Sequence, residues 1–119
     1  MNYKQRLGYF GEQLARDYLI RRGHKIIGLN VKLSYQELDI IAYKRGLTIF
    51  VEVKTRISQV FGPAENAIAF TKLARLNKGI DMYTKNNKIN LDSIRADLIT
   101  VDICRSTKIA KIKHYLDII

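Results

Sequence analysis

The sequence predicts an α/β sandwich around one mixed sheet of five strands. Three observations carry that expectation: two long stretches with apolar residues at helical spacing, five short β-rich runs, and their order of helix, three strands, helix, two strands. At 119 residues the chain suits a single domain, residues 1–119. Leu7, Phe10, Leu14 and Tyr18 recur at helical spacing, so Tyr3 to about Arg22 reads as an amphipathic helix ended by Gly23. His24–Val31 carries Ile27, Leu29 and Val31 in alternation and reads as a strand. Glu37–Tyr43 and Leu47–Lys54 read as an antiparallel pair across Lys44-Arg45-Gly46. Arg56–Pro63 reads as a loop into a second helix, about Ala64 to Lys85, with a core stripe of Ala69, Leu73, Leu76, Ile80 and Tyr83. Ala96–Ile103 and Ile109–Ile118 complete the sheet around an Arg105-Ser106-Thr107 turn.

Composition narrows the function classes. Hydrophobic residues at 47% and charged residues at 27% describe an ordinary globular chain and exclude a disordered one. No apolar run approaches the roughly 18–20 residues that span a bilayer, and Met1 to Gly11 lacks the apolar run of a secretory signal, so a cytoplasmic protein without membrane contact is expected. The lone Cys104, beside Ile103, is expected as a buried thiol. Twenty-one Lys and Arg against eleven Asp and Glu leave a net charge of +10, a potential that attracts polyanions, nucleic acid foremost.

The candidate chemistry lies in the central strand pair. Alternation puts Phe50, Glu52 and Lys54 on one side of their strand, and Glu37, Asp39 and Ile41 together on theirs, with Leu38 and Ile40 opposite. A two-residue turn at Arg45-Gly46 would set Asp39 opposite Glu52 and Glu37 opposite Lys54. Like charges so placed repel, and a hard divalent ion such as Mg²⁺ relieves the repulsion through carboxylate and carbonyl oxygens. The expected ligands are Asp39, Glu52 and the Val53 carbonyl, with Lys54 stabilising charge on a phosphodiester under attack by water. The plain alternative is an exposed strand on which an E-x-K triplet arose by chance.

Glu12 lies at the edge of the first helix's apolar stripe, where it could join those carboxylates or simply pair with Arg16. Lys72 and Arg75 suit phosphate contacts, although each alone reads more simply as a solvated face, as do Lys108, Lys111 and Lys113. His24 and His114 have no companions at zinc spacing.

The segments Gly11-Glu12-x-x-Ala15, Gln36-Glu37-Leu38-Asp39-Ile40-Ile41-Ala42 and Phe50-Val51-Glu52-Val53-Lys54-Thr55-Arg56 resemble the YraN family of small bacterial proteins. Phe61-Gly62-Pro63-Ala64-Glu65, Lys72-Leu73-Ala74-Arg75-Leu76 and Arg95-Ala96-Asp97-Leu98 extend the likeness over nearly the whole chain. That family resembles Holliday-junction resolvases of the PD-(D/E)xK superfamily. The resemblance implies a restriction-endonuclease-like three-layer fold and Mg²⁺- or Mn²⁺-dependent cleavage of nucleic acid, DNA above all, by two paired copies. It makes Asp39 and Glu52 ligands, Lys54 catalytic and Glu12 an accessory acid, with Thr55, Arg56, Lys72 and Arg75 beside the nucleic acid. Leu38 stands where the superfamily has proline, and Gln36 where the family usually has glycine. A competing expectation is a non-catalytic nucleic-acid-binding or adaptor protein that kept the fold.

Overall fold

The computed structural model describes residues 1–57 and 70–119. Helix α1 spans Tyr3–Arg21 and opens on a capping box in which Asn2 and Gln5 satisfy each other's backbone N–H groups. It stops at Gly23, whose φ of +87° reverses the chain into the first strand. Strands β1 (Lys25–Leu33), β2 (Gln36–Lys44) and β3 (Leu47–Ile57) follow, then helix α2 (Phe70–Asn86), a 3-10 turn at Leu91–Ser93, and strands β4 (Ile94–Cys104) and β5 (Ile109–Tyr115).

The five strands form one sheet in the order β1-β2-β3-β4-β5, parallel only between β3 and β4. The expected mixed sheet and element order are therefore present, in a three-layer arrangement with one helix on each face. The α1 side holds Ala15, Leu19, Ile40, Ala42, Ile49, Val51, Val53, Ile99 and Val101. The α2 side holds Leu38, Ile41, Phe50, Leu76, Ile80 and Ala96. The expected start of the second helix, the loop before it, Ala69 and the Phe61–Glu65 segment lie outside the described residues, apart from Arg56 and Ile57, which extend β3.

Three expectations need correcting. Of the expected α1 stripe, Leu14 and Tyr18 pack half-buried against the core, but Phe10 is exposed and the fully buried residues are Gly11, Ala15 and Leu19. Small residues win because the helix lies close on β3: a Cβ on Gly11 would fall 1.7 Å from the Thr55 hydroxyl oxygen. On β1, an outer strand, Ile27 and Leu29 are exposed, and the pairing with β2 shifts between Ile26 and Gly28. Cys104 is half-exposed at the end of β4, where hydrogen bonds from Ser106 and Thr107 hold its thiol at about 6, below the ordinary range.

Candidate active site

The hairpin between β2 and β3 turns through Arg45 (φ +50°) and Gly46 (φ +84°), the pair of positive angles that a two-residue turn compatible with strand twist requires. It sets the expected register, Lys44 with Leu47 up to Ile40 with Val51. The ladder ends there, short of the two expected pairs, Asp39 with Glu52 and Glu37 with Lys54, because the strands part beyond Ile40 and Val51. Asp39 turns its carboxylate to the partner strand and accepts the Val53 N–H at 2.9 Å. The alternation along β2 breaks at the same place, since Leu38 and Ile41 both pack on the α2 side while Ile40 packs on the α1 side. The expected pairing of Leu38 with Ile40 on one face is thus overturned. Both sheet faces are apolar, and the acidic groups gather where the strands part.

There a cleft of about 290 Å³ opens between β2, β3 and the first turns of α2, bordered by Glu37, Asp39, Glu52, Lys72 and Arg75. Glu52 is 4% exposed and meets the Lys72 ammonium at 2.7 Å. Burial, then the charge of Glu52, pushes Asp39 up to about 7. Glu12 reaches toward the same place from α1: burial and the charge of Asp39 raise it to about 7, against a hydrogen bond from Asn30. Arg16 pairs instead with Asp17, at 3.1 Å.

The remaining expected residues take different places. Val53 is buried in the α1-side core. Lys54 is exposed on the same side of β3 as Glu52, opposite Thr100 in the ladder, and does not border the cleft. Thr55 packs under Gly11, and Arg56 is nearly buried in an ion pair with Asp102 at 2.7 Å. Lys72 and Arg75 do border the cleft. Sequence reasoning passed over Asn30 and the contact of Lys72 with Glu52, and it set Glu37 beside Asp39 without giving it a part in the site. Glu37, two residues before Asp39 on the same strand, carried a usable signal; Asn30 carried none before its φ of +49° was known.

Among the described residues no three His, Cys, Asp or Glu side chains converge as a ready ligand set. The donor chemistry nevertheless suits a hard divalent cation. Two carboxylates share a half-buried cleft, where burial first and then their repulsion raise Asp39 to about 7, and a bound cation would favour its ionised form.

The description "Uncharacterised protein family UPF0102" matches residues 11–101. A UPF0102 protein of Dictyoglomus turgidum is 38% identical over 101 residues, 85% of each chain. One of Flavobacterium psychrophilum is 37% identical over 93% of this chain and 91% of its own. One of Caldanaerobacter subterraneus subsp. tengcongensis is 33% identical over 96% and 94%. Likeness at this level across nearly all of both chains makes this protein a member of the UPF0102 family, the YraN family to which its motifs pointed.

Proposed function

We propose that this protein is a divalent-metal-dependent nuclease of restriction-endonuclease-like fold that hydrolyses phosphodiester bonds in nucleic acid, DNA foremost. The observation that supports this reading is the meeting of Asp39 and Glu52 at the point where β2 and β3 part, with Asp39 held by the Val53 N–H and pushed up to about 7. On a chain of net charge +10, Glu12, Glu37, Asp39 and Glu52 form an acidic island that would repel phosphate unless a cation sat in it. Asp39 and Glu52 would hold Mg²⁺ or Mn²⁺, with the Val53 carbonyl as a third oxygen. Bound there, such an ion supplies a Lewis acid and a water that ionises near neutral pH.

The chain's own residues do the rest. Lys54, on the Glu52 side of β3 but outside the cleft's border, would bring its ammonium charge to a phosphate that extends beyond the cleft. Lys72 and Arg75 border the cleft and hold neighbouring phosphates. Glu12, reaching toward Asp39 from α1, serves as an accessory acid beside the attacking water.

One observation favours a second reading, a nucleic-acid-binding protein without turnover: Lys72 already neutralises Glu52 at 2.7 Å. The two separate on branched, single-stranded and duplex DNA in Mg²⁺ or Mn²⁺. The nuclease gives product that Asp39→Ala and Lys54→Ala each reduce by about 100-fold or more. Equal product from parent and variants removes the enzyme, and binding without product selects the second reading.

A further inference from the structure

A second cavity, of about 410 Å³, lies on the α1 side at the hairpin end of the sheet. Its walls come from the end of α1 (Arg22), the β2–β3 hairpin (Lys44, Arg45), the start of β4 (Arg95) and the end of β5 (His114). Ile49, the lining residue nearest Glu52 on β3, is three residues from it, so at about 3.3 Å per residue this cavity begins roughly 10 Å from the acidic cleft, on the other face.

Its floor is braced. Asp97, fully buried, accepts both Arg95 N–H groups at 2.8 and 2.9 Å, the Asp117 N–H at 3.0 Å and a His114 Nε2 contact at 2.8 Å. Burial pushes that carboxyl up, but bonds from His114, Arg95 and Asp117 outweigh it and hold it at about 2, so it is charged at any working pH. The other His114 nitrogen meets the Tyr18 hydroxyl at 3.3 Å, and the two rings pack edge to face. His24 and His114, distant in sequence, both line this cavity.

Its rim is cationic and uncompensated. Asp97 balances Arg95, but among the described residues no carboxylate pairs with Arg22, Lys44 or Arg45. Lys44 gives one N–H to the Arg22 carbonyl at 2.6 Å and keeps two. The Arg22 guanidinium lies 4.1 Å over the Tyr18 ring, leaving its outer face for a second planar group. Burial first, and then the charges of Lys44, His114 and Arg95, lower His24 against its hydrogen bond with the Leu19 carbonyl. Leu47, Ile49 and Leu116 add an apolar wall.

We propose that this cavity binds one nucleotide unit, its phosphate held by Lys44, Arg45 and Arg22 and its base laid on the Arg22 face and the apolar wall of Leu47 and Leu116. The volume falls in the range of small-ligand pockets, and the braced floor means little is ordered on binding. The ligand is either a free mononucleotide or the phosphorylated end of a strand. The site stands apart from the acidic cleft and does not rest on the nuclease reading.

The test is amide chemical-shift titration of the full chain in EDTA, which keeps divalent ions out of the acidic cleft. The probes are AMP, adenosine, inorganic phosphate, and a trinucleotide with and without a 5′ phosphate. AMP or the phosphorylated trinucleotide should saturate shifts at Arg22, His24, Arg45, Arg95 and His114. Saturation by AMP assigns a free nucleotide, and saturation by the phosphorylated trinucleotide alone assigns a strand end. Arg22→Gln with Arg45→Asn should weaken binding about tenfold or more. Asn before Gly46 suits the turn, so that variant keeps its fold. Lys4→Gln with Lys111→Gln, which removes as much charge elsewhere, should bind like the parent. Equal affinity in the cavity variant overturns the proposal, as does inorganic phosphate binding as tightly as AMP, or the absence of saturation by either phosphorylated probe.

Discussion

Asp39 concentrates the cost of the candidate site in one side chain. Its carboxyl binds a proton more tightly in the folded chain, at about 7, than at its ordinary value of 3.8, so folding takes up a proton between those limits. Stability at this residue therefore falls as pH rises from about 4 to 7 and stays lower above, where the ionised carboxylate faces Glu52. In metal-free buffer Asp39→Asn, which keeps an oxygen for the Val53 N–H, should be more stable than the parent at pH 8 by about 1–2 kcal/mol, a figure discounted for partial solvation. The two should converge near pH 4. Urea unfolding at pH 4, 6 and 8 measures this, and a gap that does not grow with pH would show that Asp39 carries no such strain.

Among the elements, α1 depends most on what it lacks. Gly11 lets the helix settle on β3, with Thr55 filling the space a side chain would occupy. Helix propensity alone favours alanine over glycine by about 1 kcal/mol. Packing opposes it, because the new methyl would overlap the Thr55 side chain and lift the helix from the strand. Gly11→Ala should lose about 1–3 kcal/mol, read from the urea midpoint. A midpoint equal to or above the parent's would show that α1 tolerates a wider spacing. The β2–β3 hairpin works the other way. Arg45-Gly46 fixes the register by backbone geometry, and that register carries Asp39 to the end of the ladder, where its carboxylate is free to turn toward Val53.

At the scale of the whole molecule the net charge of +10 is divided unevenly, with an acidic cleft on one sheet face and a cationic cavity on the other. On the proposed function, binding to duplex DNA should weaken by about tenfold or more between about 50 and 200 mM salt, as counterions compete for the phosphates. Fluorescence anisotropy across that range checks it, and a salt-independent affinity would remove the polyelectrolyte account.

Element order, the five strands and the hairpin register as far as Ile40 with Val51 were legible in the chain itself, because each follows from local periodicity or a short turn. Which stripe of α1 is buried was not legible, since it depends on how closely the helix can approach Thr55 rather than on hydrophobicity. The break in alternation at Leu38 and the meeting of Lys72 with Glu52 were decided by strand divergence and helix placement across distant segments. His24 and His114 read as isolated residues, and only the folded sheet beside α1 brings them to one cavity. Local sequence determined the elements and their charges; long-range packing alone decided which charges face one another.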